Sequence, residues 1–265
     1  MPLSIVKNEI AFKQQLHAFI GEIIDQDSVL KIFIAALTSV GEIYIVGGFI
    51  RDFANERVSR DVDIITVIRA DDIQLVADAM RIPCKRNRHG GFKLQFSNIE
   101  VDIWSILDNW AFKMQLVTSD PEDVRSIARG TFFNFDSLVF AIISKKISVD
   151  NYNNCLKYNT LDILQKNGRY RAYNPTREAN ILRAFYLHAK HQFHFSPNLA
   201  GYIKEHLLYY QNKKIDYIFL LQEYLSRYPK YEEKINSNVI EEYCNRVLYG
   251  DGFVFIKEDD RPKLF

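Results

Sequence analysis

The sequence predicts an α+β fold: a small mixed sheet with its helices in the first half, followed by a helical domain. Three observations lead there. Short β-branched segments that read as strands cluster in the first 110 residues. From about residue 108 the apolar spacing turns helical and stays so, apart from a looser stretch at 167–176 (NGRYRAYNPT). Strands gathered at one end and helices at the other belong to segregated layers rather than to an alternating βαβ chain. Finally, 19 Phe and 15 Tyr stand against only 11 Gly and 7 Pro, the composition of a compact, helix-rich protein. The expected division is a head over residues 1–150, including two N-terminal helices, and a helical neck and C-terminal domain over 151–265.

Taken in order, residues 8–39 carry apolar side chains at helical spacing and predict two amphipathic helices. These break at Asp25-Gln26-Asp27-Ser28, where Asp27 or Ser28 caps the second. Ile43 to Val46 is a continuous apolar run stopped by Gly47-Gly48, which reads as a buried strand entering a tight turn. Residues 49–56 predict a short helix and Asp61 to Ile68 (DVDIITVI) a second strand. Asp71 to Met80 predicts a helix with Ile73, Val76, Ala77 and Met80 on one face. Residues 92–96 and 99–106 predict a hairpin turning at Ser97-Asn98.

The composition narrows the function classes. Hydrophobic residues at 48% and charged residues at 25% are those of an ordinary globular chain. A net charge of +1 does not advertise nucleic-acid binding, so any basic surface is local. Cys84, Cys155 and Cys244 lie far apart and form no CxxC pair, which argues for a reducing compartment. The first residues lack a signal-peptide core, and no apolar stretch approaches the roughly 20 residues a membrane helix needs. A cytoplasmic protein with no membrane partner is expected.

The chemistry concentrates in Ile43 to Ile65, IYIVGGFIRDFANERVSRDVDII. Glycines at a strand-to-helix turn let a phosphate approach the backbone, and free N–H groups at a helix start favour an anion. Arg51, one turn on, adds a charge-assisted phosphate contact. Asp61 and Asp63, two apart on a strand, point to one face and make a hard-oxygen site suited to magnesium. Asp102, in IEVDIWSI, is expected as a third ligand from a neighbouring strand. Two metals held this way activate an attacking hydroxyl and stabilise a leaving pyrophosphate. Each part alone is commonplace. The succession of strand, GG, twelve residues, DxD on a strand and a later strand carboxylate is not. A dinucleotide fold does not fit VGGFIRD, because Asp52 stands where GxGxxG needs its third glycine.

These residues resemble the head domain of class II tRNA nucleotidyltransferases (CCA-adding enzymes) and bacterial poly(A) polymerases, in which GGxxRD is followed by DxD at this spacing. The similarity continues at Arg88-His89-Gly90-Gly91-Phe92 (the family's KHGT stretch) and at Phe133 to Phe140, FNFDSLVF (its FTINALAY helix). It ends at Ile181-Leu182-Arg183-Ala184-Phe185, running on to Phe193-His194-Phe195 in the neck, and so covers residues 40–200 in the family's order. The resemblance implies a DNA polymerase beta-like nucleotidyltransferase head. In it Asp61 and Asp63 would be catalytic metal ligands, and Gly47, Gly48 and Arg51 would meet the triphosphate. Asp102 follows more from the general fold than from this family. Arg60 stands where the family often carries a basic residue before its DxD. The implied activity is Mg²⁺-dependent transfer of a nucleoside monophosphate from an NTP to an acceptor hydroxyl, with RNA, such as a tRNA 3′ end, as partner.

Departures bear on specificity. The family's RRD falls on Gly130, Thr131 and Phe132, with Arg129 one residue upstream as the substitute. Its base-reading EDxxR falls on Thr176, Arg177, Glu178, Ala179 and Asn180. The chemistry is therefore expected without the CCA specificity, and nucleotide choice and acceptor are open. A small molecule, a protein or a tRNA attacked by a toxin or defence effector are alternative acceptors, and a non-catalytic nucleotide- or RNA-binding module is the remaining alternative. His188, His191 and His194, at i, i+3 and i+6, are expected as packing histidines rather than zinc ligands. The seven tyrosines interleaved with Lys and Arg in 202–234 are expected as core residues of a helix pair rather than as a stacking surface.

Overall fold

The structure, a computed structural model, describes residues 3–59, 61–87, 90–108, 123–165 and 176–254. Elements are numbered over these residues. Arg60, Arg88, His89, the segment 109–122, most of the looser stretch at 167–176 and the tail beyond 254 lie outside them. The chain divides into two compact units, Met1–Lys157 and Tyr158–Phe265.

The first unit opens with α1 (Glu9–Asp25) and α2 (Ser28–Thr38). Asp27 is the N-cap of α2, its Oδ1 accepting from the N–H groups of Val29 (2.8 Å) and Leu30 (3.0 Å). Then follow β1 (Ile43–Val46), α3 (Gly48–Ala54), β2 (Asp61–Thr66), α4 (Ala70–Ala79), β3 (Cys84–Arg86), β4 (Phe92–Gln95) and β5 (Glu100–Ser105). After α5 (Val124–Arg129) come a 3₁₀ turn (Asn134–Asp136), β6 (Val139–Ala141), β7 (Ile147–Ser148) and α6 (Asp150–Lys157). All seven strands join one sheet in the order β3-β4-β5-β2-β1-β6-β7. It is mixed: β2 and β5 run parallel, while β1 is antiparallel to both β2 and β6.

Two expectations fail here. The chain is not helical throughout after residue 108, because β6 and β7 return to the sheet and β6 lies directly beside β1. The segment Phe133 to Phe140, taken by resemblance as a helix, is instead the 3₁₀ turn followed by the start of β6. The reason is burial: Val139, Phe140 and Ala141 are all buried, so they show no alternation and cannot be told from a buried helical turn by spacing. The short polar edge strand β3 has no apolar pattern to announce it.

Register decides what each sheet face carries. In the parallel pair Asp61 lies opposite Glu100, Asp63 opposite Asp102 and Ile65 opposite Trp104, and on the other side Val46 lies opposite Asp63. Residues opposite one another share a face. That face is apolar toward one end, where Tyr44, Val46, Ile65, Val139 and Ala141 cluster with Val124, Ile127 and Ala128 of α5. Toward the other end it is acidic. On the opposite face Ile45, Val62, Ile64 and Val101 meet Ile20, Leu30 and Ile34 of α1 and α2 across an apolar cleft. Gly91 is required by packing: a Cβ there would stand 2.0 Å from Nε1 of Trp104.

The second unit contains β8 (Thr160–Leu161), α7 (Arg177–His191), β9 (His194–Phe195), α8 (Pro197–Asn212), α9 (Tyr217–Leu225), α10 (Pro229–Glu232) and α11 (Ser237–Tyr249), with β8 and β9 paired in parallel. His188 packs among Phe195, Tyr243 and Phe253, at ring distances of 5.7, 5.3 and 4.3 Å, and its Nδ1 lies 2.7 Å from the Phe193 carbonyl. Burial holds its pKa below the ordinary value. Tyr202, Tyr210 and Tyr231 are core residues, whereas Tyr209 is exposed.

Candidate active site

The candidate site lies at the acidic end of the shared sheet face in the first unit. Alternation along β2 turns Val62 inward and leaves Asp61 exposed and Asp63 partly covered, and β5 alternates likewise, with Glu100 and Asp102 partly covered around buried Val101. Four carboxylates thus come from two adjacent strands in register. Glu100 repeats the i, i+2 acidic spacing of Asp61 and Asp63, a signal in the sequence that the search for a single third ligand passed over.

The electrostatics follow from this crowding. Burial first, then the charges of Asp61, Asp102 and Asp136, push the Asp63 carboxyl up to about 7, and Arg51 offsets this only in part. Asp102 is also raised, by burial first, with Glu100 and Asp61 adding to the effect and Lys93 opposing it. Lys93 lies opposite Asp102 on β4. Its Nζ donates to Glu100 and stands 3.7 Å from Asp102 Oδ2.

Beside the carboxylates, β1 ends in the glycine turn. Gly47 has φ +69°, the left-handed region, and its N–H donates to the Leu138 carbonyl at 2.8 Å. The N–H groups of the first turn of α3, which no helix satisfies internally, are what this turn would offer an anion. Arg51 reaches back from α3: a Cβ built on Gly48 would meet its Nη2 at 3.5 Å. Its Nη1 donates to Asp136 Oδ1, and its guanidinium lies 4.9 Å over the Phe135 ring. Asp136 has no local signal in the sequence, since its partner is 85 residues away.

Asp61, Asp63 and Asp102 are thus on one face, with Gly47, Gly48 and Arg51 beside Asp63. Arg129 is exposed at the end of α5, and its Nη2 donates to Ser126 Oγ at 3.2 Å. Arg60 lies outside the described residues. Of the two other departures, Phe132 is buried, and Thr176 caps α7 by accepting from the Ala179 N–H. Arg177 stacks over Tyr209 at 5.2 Å and Glu178 accepts from the Tyr210 hydroxyl.

The donor set suits a hard divalent cation, because negative charge exceeds the positive charge at hand and carboxylate oxygen is its preferred ligand. Among the described residues no group of three or more His, Cys, Asp or Glu side chains converges as a ready-made metal site. Asp61 and Asp63 fit the ion as a pair, while Asp102 is engaged by Lys93.

No protein-family model and no curated protein sequence matches the chain. Solved structures do. A CCA-adding enzyme in an apo form is 15% identical, with a TM-score of 0.59 over 86% of this chain and 53% of that enzyme. A complex of CCA-adding enzyme with CTP is 15% identical, with a TM-score of 0.57 over 83% and 51%. The Thermotoga maritima CCA-adding enzyme with tRNA is 16% identical, with a TM-score of 0.55 over the same shares, 83% and 51%. The chain therefore spans about half the length of these enzymes. At such identity the likeness is one of fold, and the fold of this chain is that of the tRNA nucleotidyltransferases.

Proposed function

We propose that the protein is a nucleotidyltransferase that moves a nucleoside monophosphate from an NTP to an acceptor hydroxyl, releasing pyrophosphate, with Mg²⁺ as cofactor. One observation carries this reading: Asp61, Asp63 and Asp102 share one sheet face next to a glycine turn that Arg51 overlooks. Carboxylates and a phosphate-seating turn serve opposite ends of one reaction. The turn and Arg51 hold the triphosphate, fixing its α-phosphorus for in-line attack. Asp61 and Asp63 would hold the metal, which supplies neutralisation of phosphate charge and acidification of the acceptor hydroxyl. Burial and the neighbouring carboxylates raise the Asp63 carboxyl, a strain that a bound cation would relieve. Asp102 completes the acceptor side, and Lys93 limits the charge that Glu100 and Asp102 add.

RNA is the proposed acceptor, supported by fold neighbours solved with CTP, with ATP and with tRNA. Addition of CCA in particular is not part of the proposal. Cations are missing at 130–132, and Arg177 and Glu178 are engaged with tyrosines where the resembled family reads the base. No described helix is long and apolar enough to cross a membrane. The test is incubation with each of the four α-labelled NTPs, Mg²⁺ and, in turn, total tRNA, other RNA and whole-cell extract. Asp61→Ala/Asp63→Ala is the control. Label on RNA with wild type alone supports the proposal and names the nucleotide. Label on protein moves the acceptor to another class, and no label with any acceptor defeats the reading.

A further inference from the structure

Arg51 is braced on every side that can be described. Its own carbonyl accepts from Asn55 Nδ2 at 2.6 Å. Asn55, buried, also donates to the hydroxyl of fully buried Tyr152 at 3.1 Å. The Tyr152 ring lies 5.8 Å from that of Phe135, and Phe135 lies beneath the Arg51 guanidinium. The contacts close into a loop that begins at the main chain of Arg51 and returns to its side chain. Asp136 completes it, taking Nη1 of the guanidinium, while Nη2 faces Gly48. The segment bearing Asp136 is itself locked to the turn, through the Gly47 N–H on Leu138 O and an approach of 3.6 Å between Asp136 O and a Cβ built on Gly47.

A planar guanidinium has two edges. Here Nη1 is spent on Asp136, Nε stands 4.0 Å from Asp52 Oδ1 and the ring beneath fixes the plane, which leaves Nη2 aimed at the glycine turn. We propose that Asp136 is the positioning residue of the triphosphate seat, orienting Arg51 so that its Nη2 is presented to phosphate. The proposal deepens the functional reading above and rests on it. An unbraced arginine loses rotamer freedom when it binds phosphate, whereas a braced one has lost it already. Asp136 therefore strengthens phosphate binding through Arg51, despite its own negative charge.

The probe is inorganic triphosphate with Mg²⁺, which reads the seat independently of any base. Its Kd is measured by calorimetry on the full chain for wild type, Asp136→Ala, Asp136→Asn, Arg51→Ala and the double variant Arg51→Ala/Asp136→Ala. Asp136→Ala weakens binding by about tenfold, and Asp136→Asn, which keeps one acceptor, recovers to within about threefold of wild type. In the Arg51→Ala background the loss at Asp136 disappears, which a general disturbance of the fold would not produce. Tighter binding by Asp136→Ala, or an equal loss with and without Arg51, overturns the proposal. If Arg51→Ala binds as wild type, or if wild type binds no triphosphate, the functional reading itself fails and takes the proposal with it.

Discussion

Replacing Asp27 by alanine removes a carboxylate that does two jobs at once. Its Oδ1 caps α2, and its Oδ2 accepts from the N–H (2.9 Å) and hydroxyl (2.6 Å) of Ser97 in the turn between β4 and β5. The side chain is buried, at 8% exposure, and these bonds, with Ser97 first, hold its pKa near 2 instead of 3.8. At about 1.36 kcal/mol per pH unit this displacement corresponds to about 2.5 kcal/mol. A cap worth about 1 kcal/mol, plus charged hydrogen bonds worth about 1.5 kcal/mol or more, reaches the same figure. The sign follows from a depressed carboxylate: the contribution is complete above the unfolded value of 3.8 and is lost as pH falls toward 2. Circular-dichroism melts at pH 7 should show Asp27→Ala melting about 5 to 10 °C below wild type. Acid titration should narrow that gap, with about half gone near pH 3. A gap under about 1 °C at pH 7, or one that does not shrink in acid, refutes the reasoning.

Other outcomes follow from single contacts. Gly91→Ala drives a methyl into the Trp104 indole and should cost about 1 to 3 kcal/mol, with a shift in tryptophan emission, both measurable in one urea titration. Gly47→Ala places a side chain at φ +69° and should cost about 1 to 2 kcal/mol. It should also weaken triphosphate binding, and unchanged binding would remove the turn from the seat. Lys93→Met leaves Glu100 and Asp102 without their cation; the metal-free variant should melt lower than wild type at pH 8, and added Mg²⁺ should narrow the difference. Equal melting of the two metal-free proteins would show that Lys93 carries no electrostatic burden.

What the sequence makes legible is what local pattern encodes. The break at Asp27, the strand into Gly47 and the β4–β5 turn at Ser97-Asn98 each come with a cap, a glycine pair or an alternation nearby. Asp61 and Asp63 are legible for the same reason, since spacing by two on a strand is a statement about one face. Phe140 is not: flanked by β1 and β7 and buried, it presents only an apolar run. Asp136 is less legible still, because its meaning lies in Arg51, which the chain reaches only by folding β6 against β1. Lys93 and Glu100 sit between these cases. Their alternation is visible, but the register that brings them to Asp102 is tertiary.

The central claim is that the carboxylates and the glycine turn act on one NTP to transfer its nucleotide. The most direct measurement runs α-labelled and γ-labelled samples of the same NTP in parallel with RNA and Mg²⁺, using wild type and Asp63→Asn. The account predicts α label on RNA and γ label in pyrophosphate, in equal amounts, with both falling at least about a hundredfold in Asp63→Asn. Label released as free phosphate, or transfer that survives in Asp63→Asn, would contradict it.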